Sequence, residues 1–116
     1  MRAAAAQKIY PINSKPEGRK VAKVLTRALD IIETKGWCQE ELEDNAGRVC
    51  ATGALMCVAG KEPYRIQFQA ERVLDAVVHL THPRKTIVQF NDTRGRKVGE
   101  VKQVYRKAIK VVEAQL

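Results

Sequence analysis

Apolar residues return every three or four positions along most of this chain, and that spacing predicts helices. In SKPEGRKVAKVLTRALDIIETKG, residues Val21, Val24, Leu25, Ala28, Leu29, Ile31 and Ile32 share one helical face. Ser14 and Glu17 fit a capping box at its start, Pro16 is tolerated in the first turn, and Gly36 supplies the stop. The run from Val49 to Ala59 is almost wholly apolar and rich in alanine, which predicts a buried helix, the central rod of the fold. Between Pro63 and His82, a third stripe holds Ile66, Ala70, Val73, Leu74, Val77 and Leu80, and Pro83 ends it. TIVQF, from Thr86 to Phe90, is short, β-branched and alternating, so it predicts extended chain; KIYPI near the start is the partner such a strand would need. Val98, Val101, Tyr105, Ala108 and Val112 mark a long closing helix. The first fourteen residues show no period and lack acids. The expectation is a mainly α protein: a flexible arm over 1–14, then one compact domain over 15–116 with about four helices and a short extended segment before the last.

A length of 116 residues supports one core without metal or disulfide staples. Aromatics make up only 5% of the chain, so the interior has to be built from Val, Ile, Leu and Ala. The longest apolar run falls short of the roughly 18 residues that cross a bilayer, and the start lacks the apolar stretch of about 7–15 residues of a signal peptide. Those absences predict a cytoplasmic protein with no membrane partner. Three cysteines without a secretion signal then read as free thiols, a Cys38–Cys50 disulfide being the minor alternative.

Charge changes the picture more. The net charge is +8, and residues 84–116 alone carry nine Lys/Arg against three acids, while residues 36–83 are mildly acidic. Basic ends around an acidic middle point to an anionic partner. On the closing helix Lys102, Arg106 and Lys110 are four apart and share a face, and Arg94, Arg96 and Lys97 precede them at the turn. Arg19, Lys20, Lys23 and Arg27 give the first helix a similar edge. Such rows neutralise phosphates and release counterions. A charge run also serves as a solvated face, no helix-turn-helix signature emerges, and few aromatics are present to stack on bases.

Chemistry has little to work with. The cysteines lack the close C-x₂₋₄-C pairs of structural zinc sites, even with His79 or His82 as a fourth ligand, so Cys50 and Cys57 read as small buried hydrophobes. A thiolate nucleophile needs a base, and His79, four residues after Asp75, reads as half of an exposed surface pair. No phosphate loop of the G-x-x-x-x-G-K-[ST] or G-x-G-x-x-G type occurs. Asn91 and Asp92 read as a turn or helix cap. The expectation is a protein without catalytic residues, metal, cofactor or small-molecule substrate.

Three stretches, ALDIIETKGWCQ, GRVCATGAL and FNDTRGRKVGEV, resemble a small uncharacterised family, a domain of unknown function, from actinobacteria and their bacteriophages. Its pattern is A-x-x-I-x-x-x-GWCQG, then GRVCALGAL, then an ND turn leading into GRT-x-x-EV and a final helix. The matching positions are Gly36, Trp37, Cys38, Gln39, Gly47, Arg48, Cys50, Gly53, Asn91 and Asp92. Thr52 departs from the pattern where an aliphatic residue is usual, and Lys97 stands where a threonine is, which removes half of a capping box with Glu100. The resemblance implies origin and fold more than activity, and it would put a phage-encoded member in the host cytoplasm.

The motif residues are expected to form a structural hinge between helices, with Trp37 as its lid. The functional expectation is a non-enzymatic binding protein that docks on nucleic acid or a nucleoprotein through Arg94, Arg96, Lys97, Lys102, Arg106 and Lys110. The alternative is a protein-interaction module that binds a host or phage protein through the arm or a groove near Trp37. A metal- or thiol-dependent activity is the weakest.

Overall fold

The computed structural model describes residues 1–60 and 62–116, which form six helices: α1 (Ala3–Ile9), α2 (Lys15–Lys35), α3 (Ala51–Ala59), α4 (Tyr64–His79), α5 (Ile87–Asp92) and α6 (Val98–Glu113). α2, the longest, packs against α3, α4 and α6, so it and not α3 is the rod around which the others assemble. Its buried face carries Val21, Val24, Leu25, Ala28 and Ile32. The Ser14 hydroxyl accepts the Glu17 N–H at 3.3 Å and caps its start. Gly36, at φ +90°, ends it in a backbone conformation that costs glycine least. The expected α3 is present, but Met56 and Cys57 lie on an exposed edge, so Cys57 is not the buried hydrophobe its apolar surroundings imply. On α4 the predicted stripe is buried except Leu80, which caps the helix end and stays 55% exposed.

Two expectations are corrected. TIVQF is not extended; it opens α5, and no strand forms among the described residues. Thr86 and Gln89 form the two halves of a capping box, the hydroxyl accepting the Gln89 N–H at 3.2 Å and the Gln89 amide oxygen accepting the Thr86 N–H at 3.0 Å. Asp75 of α4 adds a second cap by accepting the Ile87 N–H at 2.7 Å. Local capping and burial of Ile87 and Phe90 thus outweigh the β propensity of Ile and Val.

The arm, in turn, carries a helix. Seven residues are too few to hold a helix alone, and α1 is held by docking on α6 and α4 with Ala6 fully buried. Gln115 fastens the chain that follows: its amide oxygen accepts the Ile12 N–H at 3.0 Å and its amide nitrogen donates to the Tyr10 carbonyl at 2.8 Å.

At α6 the missing threonine is replaced by backbone. The Glu100 carboxylate accepts the Lys97 N–H at 2.9 Å, and the Lys97 carbonyl takes the Glu100 N–H at 3.0 Å, so the helix starts at Val98 without a hydroxyl cap.

Candidate functional site

The segment between α2 and α3 folds back on itself. Cys38 N–H donates to the Val49 carbonyl and Val49 N–H to the Gly36 carbonyl, each at 3.0 Å. Asp44 shapes its tip, accepting from the Ala46 and Arg48 N–H groups at 3.0 and 2.9 Å, while Gly47 adopts φ +81°. What ties this loop to the body is Asn91, at the end of α5 and only 1% exposed. Its Oδ1 accepts from the Trp37 indole N–H at 2.7 Å and from the Ala51 N–H at 3.0 Å. Its Nδ2 donates to the Cys38 carbonyl at 3.2 Å and the Asp92 carboxylate at 2.9 Å. Gln39 donates back to the Asn91 and Thr93 carbonyls at 3.0 and 2.9 Å, and Asp92 accepts the Glu40 N–H at 2.9 Å. That last bond holds Glu40 in the left-handed region at φ +69°. Asn91 is therefore far more than a turn residue. It satisfies the orphan first amide of α3 and clasps residues more than fifty positions away.

The thiols belong to this clasp. Cys50 is the N-cap of α3, its sulfur accepting the Gly53 N–H at 3.2 Å. The Cys38 thiol faces the Glu41 and Arg48 carbonyls at 3.4 and 3.3 Å. Burial raises the pKa of both, and for Cys38 the Asp44 carboxylate raises it further. Each is thereby moved away from thiolate at neutral pH. All three cysteines are free. Among the described residues no group of three or more His, Cys, Asp or Glu is placed to hold a metal ion. Asp75, the would-be partner of His79, is engaged in capping α5. Thr52, one residue into α3, has a buried hydroxyl with no hydrogen-bond partner among the described residues. Thr52→Val, which removes that hydroxyl and keeps the shape, is expected to raise stability by about 1 kcal/mol in urea unfolding.

The six candidate cations do not form one patch. Lys102, Arg106 and Lys110 share the outer side of α6, but Arg106 reaches across to Glu33 of α2 at 3.5 Å. Arg94 and Lys97 are exposed at the preceding turn. Arg96 turns inward. Its side chain is 9% exposed, its Nε donates to the Phe90 carbonyl at 2.8 Å, its guanidinium lies 3.6 Å from the Phe90 ring centroid, and Glu100 closes the pair at 3.0 Å. Arg96 fixes the turn between α5 and α6, so its charge is spent inside the fold.

Paired carboxylates set the acid limb of stability. The Glu17 pKa is lowered by hydrogen bonds from Arg65 and Gln69. Glu100 is lowered by the Lys97 N–H, and Asp44 by its Arg48 and Ala46 bonds in spite of the opposing effect of burial. A lowered folded-state pKa contributes stability that is present above the unfolded value and is lost as pH falls through the folded one. Stability should therefore decline as pH falls below 4.5, the ordinary value for Glu17 and Glu100. Glu17→Gln should flatten that decline in urea midpoints measured across the acid range.

A surface with no counterpart in the hydrophobic pattern lies along α4. Tyr64 is 76% and Phe68 46% exposed, with ring centroids 6.3 Å apart and planes inclined by 28°. The Arg72 guanidinium sits 5.4 Å from the Phe68 centroid. Tyr10 joins them in a groove of about 450 Å³ between the end of α1 and α4, and a neighbouring hollow of about 540 Å³ adds Arg65 and Gln69. The i, i+4, i+8 spacing of Tyr64, Phe68 and Arg72 is the signal that could have found it. A shallow groove of about 560 Å³ also runs beside Trp37, rimmed by Glu41, Asp44 and Arg48.

Fold and clasp define a small all-helical protein whose longest loop is locked by a buried asparagine. The model of a family of unknown function, DUF6197, matches residues 16–111. The chain belongs to that family. No curated protein and no solved structure matches it. No helix among the described residues is long and apolar enough to cross a membrane.

Proposed function

We propose that the protein is a non-enzymatic binding protein that docks on nucleic acid or a nucleoprotein through α6 and the turn before it. The observation that carries this reading is the set of cations left without an ion pair. Among the described residues, Arg94, Lys97, Lys102, Lys107 and Lys110 have no carboxylate within salt-bridge distance, in a chain of net charge +8. Rows of such side chains displace counterions from phosphates, which gives affinity that falls steeply with salt. Arg106 contributes at the edge of the row and Arg96 only positions the turn.

Lys102→Glu combined with Lys110→Glu tests it. Affinity for a fluorescent 20-base-pair DNA in low salt should fall at least about tenfold, and the slope of log affinity against log salt should shrink by about 2. Unchanged affinity and slope would overturn the reading.

A second reading, a protein-interaction module, rests on the groove beside Trp37 and the exposed Glu41 on its rim, which suits a basic segment. The motif resemblance makes an actinobacterial or phage partner the natural choice. Capture of one protein from an actinobacterial lysate, insensitive to nuclease and abolished by Glu41→Lys, would favour it.

A further inference from the structure

We propose that the exposed face of α4 formed by Tyr64, Phe68 and Arg72, with Tyr10 opposite, is a stacking platform for the bases of single-stranded nucleic acid. It rests on the nucleic-acid reading above and specifies the strandedness of the ligand. The chain has one Trp, three Tyr and two Phe; Trp37, Phe90 and Tyr105 serve the clasp and the core, and the remaining three line this one face. A protein so poor in aromatics gains nothing in stability from leaving Tyr64 three-quarters exposed. A ring face open to solvent and backed by a second ring is, however, what a base stacks on, whatever its sequence. The cation needed to accompany such stacking is present. Arg72 lies over Phe68 and has no carboxylate within salt-bridge distance among the described residues, so its guanidinium can meet a phosphate beside the rings. Arg65 also stands beside the rings, but its charge is taken up by Glu17 at 2.6 Å, so the free cation of this face is Arg72.

Ring geometry favours this occupant over a duplex, and Arg72 favours it over a purely apolar partner. Glu71 and Asp75 stand further along the same groove with His79, so phosphates are repelled there and the backbone is confined to the side of Arg72. A single strand can turn its bases onto the rings and its phosphates toward Arg72. A duplex keeps its base faces stacked on each other and cannot.

The test compares a fluorescent twenty-nucleotide oligothymidine with a duplex of equal length, using the full chain. Tyr64→Ala removes an exposed ring and should leave the circular dichroism spectrum and melting midpoint close to those of the parent, while Phe68→Ala, which removes a half-buried ring, should leave the spectrum close. Each should weaken oligothymidine binding about tenfold, Arg72→Gln should act in the same direction, and duplex binding should hold. Oligothymidine binding that survives both ring substitutions while Lys102→Glu/Lys110→Glu abolishes it would overturn the platform and leave the function intact. Duplex binding by the parent with no oligothymidine binding would do the same. Failure of the parent to bind either probe would overturn both proposals. Concentration-dependent self-association abolished by Tyr64→Ala, with no effect on oligothymidine, would also overturn the platform and assign the face to a second copy of the chain.

Discussion

Asn91→Leu is expected to destabilise the protein by about 3–5 kcal/mol, the largest loss of any single substitution outside the apolar core. Leucine has the same branched outline and is no smaller, so none of that cost is a cavity. It comes from the groups left behind. The Trp37 indole N–H, the Ala51 N–H and the Cys38 carbonyl all lose their partner at once. A buried polar group stripped of its partner costs about 1–3 kcal/mol. Some relief is available, because Trp37 is only half-buried and the loop can swing toward water. Swinging out, however, gives up the Gln39 bonds to the Asn91 and Thr93 carbonyls and the Asp92 bond to Glu40. Either response is expensive against a total stability of about 5–15 kcal/mol. Urea unfolding followed by Trp37 fluorescence reads both: the midpoint gives the energy, and the native emission maximum reports whether the indole has moved into solvent. A loss below about 1 kcal/mol would mean that the clasp is decorative.

How much of this was legible in the sequence depends on whether the cause is local. α2 and α6 were visible because burial there follows helical spacing over many turns, and the Gly36 stop was visible because a positive φ is a property of one residue. α5 was not, although its cap was written out as Thr86 and Gln89. In five residues the β-branched alternation and the T-x-x-Q signature compete, and the Asp75 contact that tips the balance comes from another helix. α1 was hidden for the same reason: what orders it is docking on α6 and α4, and the chain after it is fastened by Gln115, more than a hundred residues away. The clasp residues could be picked out by their resemblance to a family pattern, but their geometry could not, since the hydrogen bonds of Asn91 are long-range. The cations show the opposite failure. Spacing placed Arg96 with Lys97 and Arg94, and nothing in the sequence says that its guanidinium would be taken by the Phe90 ring and carbonyl.

Gly53→Ala isolates the close approach on which the clasp is built. At an open helical position the same change adds stability, because alanine loses less conformational freedom than glycine on folding. Gly99, in the first turn of α6 with nothing within 4 Å of its added methyl group, is such a position, and Gly99→Ala should gain about 0.5 kcal/mol. At Gly53 the added carbon would collide with the Leu42 carbonyl, a backbone atom that no rotamer change can move. That carbonyl also accepts the Cys50 N–H at 3.1 Å, so backing the loop away to make room breaks a bond at the start of α3. The clash costs about 1–3 kcal/mol and the lost bond about 1 more, which outweighs the gain in helix propensity several-fold. Gly53→Ala should therefore lose about 3 kcal/mol where Gly99→Ala gains. Identical chemistry with opposite sign removes composition as an explanation. If the two midpoints instead moved together, Leu42 would not be pressed against α3 and the loop would be free of the helix it is taken to cap.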